Sequence, residues 1–189
     1  MLNIKIPNAC KNQQVYSLDV LINEFLGIKF KYEIYDGNVI EITNFNDLVK
    51  FSKLTLNINF FNKIKQHWLK TESMPKLDLV NWKPLEDGIN AKLTQPSVPI
   101  LFGSPGLIRN DNHIHLNLDI FGSAFFMLTR YEELVIKNRD KHDRFSAFFS
   151  HAYKNGYLNR PLVDEYVEIL KNCLAMLWPD LKFKERKFS

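Results

Sequence analysis

Alternating apolar and polar residues mark the candidate strands of the chain. The segment LNIKI near the N-terminus alternates and is rich in β-branched residues before Pro7 interrupts it. Residues 29–43, KFKYEIYDGNVIEIT, alternate on both sides of a Tyr-Asp-Gly-Asn turn and therefore predict a β-hairpin. Shorter runs predict three further strands: residues 54–60, VPILFG up to Gly103, and HIHLNL up to Asp119.

Apolar residues at intervals of three and four predict helices between these strands. One helix begins near Gln14 and ends before Gly27, which stands where a helix C-cap belongs. Its apolar side chains share one face: Val15, Leu18, Ile22 and Phe25. A short helix is expected over residues 61–69. Residues 70–97 carry three prolines and no sustained period, so we expect a long connection that lies against the domain.

The last third of the chain has a helical pattern. Residues 120–134 are apolar on nearly all sides, so they are expected to form one long buried helix, with Asp119 as its N-cap. A final helix begins near Pro161, ends before Pro179 and has an apolar face: Leu162, Tyr166, Ile169, Leu170, Cys173 and Leu177. Together these elements predict an α/β (or α+β) fold with a small mixed sheet, a buried central helix and a C-terminal amphipathic helix.

The composition is that of an ordinary globular protein. Of the 189 residues, 46% are hydrophobic and 24% are charged, which suffices for a core without disulfide or metal staples. Residues 1–181 are predicted to form one α/β domain. The basic residues 182–189 are predicted to be a solvated tail or linker, with a nucleic-acid or membrane-surface contact as the alternative. Cys10 and Cys173 are far apart, which favours buried thiols and leaves one long-range bridge as the alternative.

Charge and hydropathy argue against several classes of protein. The net charge of +4 is mild, and no zinc-finger, helix-turn-helix or RNA-binding aromatic motif occurs. The opening MLNIKIPNAC is too polar for a signal peptide, and no apolar run approaches the roughly 20 residues of a membrane span. We therefore expect a cytoplasmic protein with no nucleic-acid partner and no membrane span.

The charged residues after the apolar helix are the best candidates for a site. Glu132 and Glu133 would lie near the C-terminus of that helix, where the helix dipole disfavours negative charge. Neighbouring positions complete the cluster: Arg130, Arg139, Asp143 and Arg144. In one interpretation the glutamates form an acid–base or metal cluster with His142 or Asp143. In the favoured one, arginines clamp the carboxylates, because buried charge pairs more often hold a structure than catalyse a reaction.

The clamp would fasten the loop of residues 137–145, KNRDKHDRF, across the end of the helix. Arg144 is expected to reach back to Glu132 or Glu133, since a guanidinium can satisfy a carboxylate with two hydrogen bonds. Phe145 would bury its ring beside the guanidinium group. Loss of Arg144 would then strand a half-buried carboxylate, so Arg144→Ala is expected to destabilise the fold by a few kcal/mol.

The other polar motifs give weaker evidence for a functional site. His113 and His115 share one face of a strand, but two ligands are too few for a metal site without a third. The segment FGSPG, residues 102–106, lacks a phosphate-binding pattern and is predicted to be a turn. No Ser/His/Asp or His-Glu-x-x-His arrangement is present. The sequence therefore predicts no catalytic residue, no metal ion and no cofactor.

Several segments resemble a known region of certain bacterial proteins. LDIFGSAFFMLTRYEE, DKHDRF, AYKNGYLNRPLVDEYVEIL and LWPDLK are similar to an uncharacterised region that stands N-terminal to a polysaccharide-deacetylase domain of the chitooligosaccharide-deacetylase type. IPN, LINEFLGI and VPILFG fall where that region's pattern puts them, so the resemblance covers nearly the whole chain. It implies an association with carbohydrate or cell-envelope polysaccharide modification. It also implies two partners. One is a deacetylase catalytic domain, either downstream in the same chain or in a separate chain, and the other is a polysaccharide.

The chain departs from such deacetylases in its motifs. Their Asp-rich stretch and His-x-x-x-His pair do not occur here, so no metal-ligand role can be carried over to any residue. The first hypothesis is therefore a non-catalytic, accessory-type α/β domain over residues 1–181, with residues 182–189 as a basic tail or the start of a linker to a catalytic domain. The alternative is a small stand-alone hydrolase or ligand-binding protein that uses Glu132, Glu133 and Arg144. A cleft that contains a carboxylate of raised pKa would favour this alternative.

Overall fold

In the computed structural model, which describes residues 1–185, the strands form two sheets. In chain order the strands are β1 (Leu2–Pro7), β2 (Phe30–Tyr35), β3 (Val39–Asn44), β4 (Lys53–Asn57), β5 (Asn81–Trp82), β6 (Val98–Pro99), β7 (Gly103–Arg109) and β8 (His113–Leu118). Six of them form the main sheet in the order β2-β1-β3-β4-β8-β7, and β5 pairs with β6 separately. In the main sheet, β1 with β2 and β4 with β8 run parallel, whereas the other neighbours run antiparallel. The predicted mixed sheet is confirmed.

β2 and β3 do not form the predicted hairpin. β1 lies between them, so that Ile4 is paired with Tyr32 of β2 on one side and with Ile42 of β3 on the other. The alternation and the turn correctly indicated two antiparallel strands, but they carry no information about which strand lies between. Insertion of β1 gives this strand a partner on both edges and leaves its apolar side chains Leu2 and Ile6 fully buried.

Helices pack on the sheet through its apolar face. They are α1 (Lys11–Leu18), which continues as a π-helix over Asp19–Phe25, α2 (Asn59–Gln66), α3 (Ile120–Leu128), α4 (Tyr131–Val135), α5 (His151–Lys154) and α6 (Leu162–Leu177). Short 3₁₀ segments lie at Thr71–Ser73, Pro84–Asp87 and Ala147–Phe149. The sequence predicted the first helix, the short second helix and α6. Gly27 follows the first of these with φ +70°, as a helix C-cap requires.

The predicted helix over residues 120–134 is in fact two helices. Arg130 adopts φ +52°, in the left-handed region, so the α3 helix cannot continue through it. The hydroxyl group of Thr129 donates to the carbonyl oxygen of Phe125 at 2.7 Å and satisfies one of the last carbonyls of α3. α3 is the predicted buried central helix, with every residue from 120 to 126 buried, whereas Leu134 in α4 is 51% exposed.

β7 includes most of the segment FGSPG, which was predicted to be a turn. The strand bulges between Gly103 and Leu107, and both Gly103 and Gly106 have positive φ. Pro105 is tolerated because β7 lies at the edge of the sheet, where its residues need hydrogen bonds on only one side. The predicted turn is therefore wrong: the glycines and Pro105 form a bulged part of an edge strand.

The connection over residues 70–97 lies against the domain as expected. Trp82 and Ile89 are buried, and the indole N–H of Trp82 donates to the Asp87 carboxylate at 2.6 Å. The strand predicted over residues 98–103 is only partly formed. Its first two residues are β6, which pairs with β5 from this connection, and its last residue begins β7. Both cysteines are free thiols, and burial raises the pKa of Cys173 to about 12.

The predicted tail, residues 182–189, lies partly outside the described residues. Lys184 donates its backbone N–H to the carbonyl oxygen of Leu26 at 2.9 Å. The division into a domain of residues 1–181 and a tail stays a prediction. Within residues 1–185, no helix combines the length and the apolar character needed to cross a lipid bilayer.

Candidate functional site

The helix break at Arg130 changes the electrostatic setting of the two glutamates. Glu132 and Glu133 lie in the first turn of α4, not at the C-terminus of a long helix. The positive end of a helix favours acidic side chains, so neither glutamate needs an arginine to offset an unfavourable dipole. The premise of the predicted clamp is therefore wrong.

The ion pairs of the charged cluster are local. Glu133 pairs with Arg130, three residues earlier. Arg144 pairs with Asp140 at 3.0 Å, and 70% of its side chain is exposed. Within residues 1–185, no ion pair joins Arg144 to either glutamate, so the predicted clamp is not formed.

Arg139, not Arg144, holds the loop against α4. Its guanidinium donates to the carbonyl oxygens of Glu133 at 2.9 Å and Ile136 at 2.7 Å. Because Ile136 is the C-cap of the five-residue α4, both carbonyls are among the last of this helix, which lack intrahelical donors. The same guanidinium lies 5.7 Å from the ring centroid of Phe145, whose ring was expected to lie beside Arg144 instead.

The loop itself is closed by the carboxylate of Asp140. It accepts the backbone N–H of His142 at 2.8 Å and that of Arg144 at 3.0 Å, and these bonds lower the pKa of Asp140. Asp143 has φ +57°, a left-handed conformation that Asp adopts more readily than most residues. His142 and Asp143 therefore shape the loop. The predicted acid–base grouping of His142 or Asp143 with the glutamates finds no hydrogen bond to support it within residues 1–185.

Glu132 differs from its neighbour because it faces inward. Its Oε2 accepts the backbone N–H of His151 at 2.6 Å, which joins α4 to the start of α5. Burial raises the pKa of Glu132, although the hydrogen bond from His151 opposes the shift and the nearby charge of Glu133 adds to it. Glu132 is thus a half-buried carboxyl group that holds its proton more tightly than usual.

Glu132 lines an open cleft between α4 and the start of α6. The cleft has a volume of about 580 Å³. Four aromatic residues line it among more numerous aliphatic ones, namely Phe25, Phe126, Phe145 and Tyr157. Arg130 and Glu133 lie at the same opening. Three of the six residues of the predicted charge cluster, Arg130, Glu132 and Glu133, therefore line this cleft together with Phe145. The other three, Arg139, Asp143 and Arg144, are not among its lining residues.

A buried histidine supports the floor of this cleft. The Nε2 of His151 lies 2.7 Å from the carbonyl oxygen of Lys76, and its Nδ1 lies 2.7 Å from the hydroxyl oxygen of Tyr157. Because a carbonyl can only accept, Nε2 carries the proton and Nδ1 accepts from Tyr157 in the neutral ring. Burial lowers the pKa of His151 and raises the pKa of Tyr157, which favours the neutral form of both groups.

A second arginine site, for which the sequence analysis made no prediction, forms an arginine clamp elsewhere in the domain. Arg160 and Glu165 are almost fully buried, and Nε of the arginine lies 2.9 Å from Oε2 of the glutamate. Arg160 also donates to the carbonyl oxygen of Ser97 at 2.6 Å, and Glu165 accepts the backbone N–H of Thr94 at 2.8 Å. The pair thereby fastens the long connection to α6. A usable signal was present, because an arginine just before a helix N-terminus is unfavourable unless an acid compensates it.

The two strand histidines share a face as predicted. Both contact the hydroxyl oxygen of Thr55, at 2.9 Å from Nε2 of His113 and at 2.8 Å from Nδ1 of His115. Burial lowers the pKa of both rings. In residues 1–185, no group of three or more His, Cys, Asp or Glu residues is arranged to hold a metal ion.

These features define a mixed α/β domain whose helical side carries an aromatic cleft with a half-buried carboxyl group. The chain belongs to DUF7033, a family of unknown function, which it matches over residues 2–179. No curated protein and no solved structure matches the chain. The family match spans all eight strands and all six α-helices of the described residues.

Proposed function

We propose that this chain is a non-catalytic accessory domain of a polysaccharide-deacetylase-like protein, and that its cleft binds a carbohydrate chain. The cleft carries the proposal, because it combines aromatic rings with a carboxyl group and an arginine in one opening. Its volume of about 580 Å³ lies within the range of small-ligand sites in proteins.

The lining suits the chemistry of sugars. The C–H faces of a pyranose ring pack on exposed aromatic rings, a role open to Phe145 in this cleft, while hydroxyl groups need hydrogen-bond partners. Glu132 accepts hydrogen bonds when ionised and can both donate and accept when protonated. Arg130 offers further donors at the rim. An uncharged, polyhydroxylated ligand therefore fits the cleft better than a purely apolar one or a strong anion.

The resemblance to the region before deacetylase domains supports the partner. DIFGSAFFMLTRYEE, which carries part of this resemblance, builds α3 and the start of α4, and AYKNGYLNRPLVDEYVEIL builds much of the opposite wall of the cleft. Two of the segments that carry the resemblance thus contribute residues to the cleft. We infer that a deacetylase catalytic domain, in the same chain or in trans, receives the polysaccharide that the cleft holds.

The alternative is a stand-alone hydrolase at the same cleft. The raised pKa of Glu132, beside a second acid in Glu133, favours it, because a general acid must keep its proton near neutral pH. Arg144 is no longer part of this hypothesis, since its ion pair is with Asp140. The two functions differ in one measurable result: a hydrolase turns over an oligosaccharide, whereas an accessory domain only binds it.

Calorimetric titration of the purified chain with soluble oligomers of N-acetylglucosamine and of glucosamine tests the proposal. We expect Phe145→Ala to weaken binding about tenfold, the loss of one aromatic contact. The matched control is Phe148→Ala, which removes an aromatic ring that is 66% exposed and outside the cleft. Native-like binding by Phe145→Ala, or no binding of either oligomer at millimolar concentration, would refute the carbohydrate cleft.

Acetate release measured with the same oligomers and added divalent metal separates the two functions. We expect no metal-dependent deacetylase activity from the 189-residue chain, because its sequence lacks the Asp-rich stretch and the His-x-x-x-His pair. Turnover that a chelator abolishes would contradict this expectation. Metal-independent cleavage that Glu132→Gln abolishes would establish the hydrolase instead.

A further inference from the structure

The two edges of the main sheet differ in how they are protected. At one edge, β7 contains Pro105 and a bulge, which are devices that stop a further strand from pairing. At the other edge, β2 is a regular strand without proline or bulge, and all six of its residues pair in register with β1. Two apolar side chains of this strand are partly exposed, Tyr32 at 40% and Ile34 at 44% exposure. β2 is therefore open to a further strand.

The ladder between β1 and β2 shows which backbone groups face outward. Leu2 donates its N–H to the carbonyl oxygen of Lys29 at 3.0 Å, and Leu2 is the partner of Phe30 in the parallel register. In a parallel ladder, the partner residue itself turns its N–H and C=O away, while its two neighbours bond inward. Lys31 and Glu33 therefore bond to β1. The N–H and C=O groups that face outward are those of Phe30, Tyr32 and Ile34.

We propose that β2 pairs with β2 of a second copy of this chain, antiparallel, so that the two sheets become one continuous sheet. In this register Tyr32 lies opposite Tyr32 of the second copy, and Phe30 lies opposite Ile34. Each of these residues has both backbone groups directed outward, so each pair exchanges both of its main-chain hydrogen bonds. The proposal goes beyond the carbohydrate cleft, because β2 contributes no residue to that cleft.

The charges on β2 select this register. With Tyr32 at the centre, Lys31 of each copy lies opposite Glu33 of the other, at the non-hydrogen-bonded pairs of an antiparallel ladder, where side chains lie closest. A slip by two residues in one direction places Lys31 opposite Lys31, and a slip in the other direction places Glu33 opposite Glu33. Slips by one residue oppose outward-facing to inward-facing backbone groups. The strand is thus self-complementary in one register.

The existing contacts of these charges leave them accessible. Glu33 forms an ion pair with Lys5 at 3.1 Å, yet its side chain is 64% exposed and retains acceptor capacity. Lys31 is exposed. On the opposite side of the strand, pairing would cover the exposed surfaces of Tyr32 and Ile34. A second copy therefore supplies charge partners on one face and apolar partners on the other.

Sedimentation equilibrium of three proteins tests the pairing: the native chain, Lys31→Glu and Glu33→Lys. We expect the native chain to dimerise in the micromolar range, and each variant to raise the dimer Kd by at least about tenfold, because both ion pairs become repulsive. An equimolar mixture of the two variants is the decisive sample. At positions 31 and 33 one variant then carries two acids and the other carries two lysines. Opposite charges face each other at both positions, so a heterodimer of near-native affinity is expected.

Amide hydrogen exchange identifies the strand directly. The amides of Tyr32 and Ile34 are expected to gain protection as protein concentration rises, whereas those of Lys31 and Glu33 are protected at all concentrations by their bonds to β1. Matching thermal unfolding of the variants would show that they are folded. A native chain that stays monomeric at concentrations of roughly 200 µM, well above the expected Kd, would overturn the proposal. Variants that dimerise like the native chain, or a variant mixture that stays monomeric, would overturn it as well.

Discussion

The buried carboxyl group of Asp119 joins the start of α3 to the start of α2 through Phe60. Its Oδ2 accepts the backbone N–H of Phe60 at 2.8 Å, and its Oδ1 accepts the backbone N–H of Gly122 at 2.8 Å. One side chain thus caps its own helix, as the sequence predicted, and also satisfies a donor in a helix that lies 59 residues earlier. The group is fully buried, and burial raises its pKa to about 7.

This pKa predicts a pH dependence of stability. In the unfolded chain the Asp119 carboxyl ionises near its ordinary pKa of 3.8, so between these two values the folded chain binds more protons than the unfolded chain. The free energy of unfolding should therefore fall, by roughly 2–4 kcal/mol from this group, as pH rises from about 4 to about 7. Urea denaturation across this range measures the effect. Asp119→Asn should be less stable at a pH of about 4.5 and should lack this decline; an equal decline in both proteins would contradict the prediction.

The two arginine pairs predict unequal losses of stability. Arg160→Ala leaves Glu165 buried without its partner and should cost about 3–5 kcal/mol, as for other buried pairs. Arg144→Ala removes an exposed pair with Asp140 and should cost less than about 1 kcal/mol, well below the value expected from the clamp. Both free energies come from urea denaturation under the same conditions. Equal losses for the two variants would show that burial does not distinguish these pairs.

The aromatic centre of the core predicts how much two phenylalanine substitutions lower the free energy of unfolding. Phe125 is 8% exposed, and its ring packs against Phe60, Phe61 and Tyr16 at centroid distances of 5.8–6.1 Å. Phe125→Ala should lower the free energy of unfolding by about 3–5 kcal/mol. Phe148→Ala, at a ring that is 66% exposed, is the control and should change it by less than about 0.5 kcal/mol. A loss below about 1 kcal/mol at Phe125 would exclude this face from the core.

The amino-acid sequence by itself determined the features that depend on near neighbours along the chain. The alternation in HIHLNL gave β8, the apolar period after Pro161 gave α6, and Asp119 was identified as a helix cap. In each case the residues that decide the structure lie within a few positions of one another, so their spacing reports it directly. The same holds for the α/β fold class, which follows from the mixture of the two periods.

Only the tertiary structure decided which distant elements meet. Alternation shows that one face of a strand is buried, but it does not name the neighbouring strand, so the position of β1 between β2 and β3 could not be inferred. The break at Arg130 was hidden because both sides of it have helical residues. After the break, Glu132 lies at a cleft and accepts the backbone N–H of His151, whereas Arg144 forms its ion pair with Asp140. Long charged side chains pair with whatever the fold brings within a few ångströms, and sequence spacing does not fix that distance.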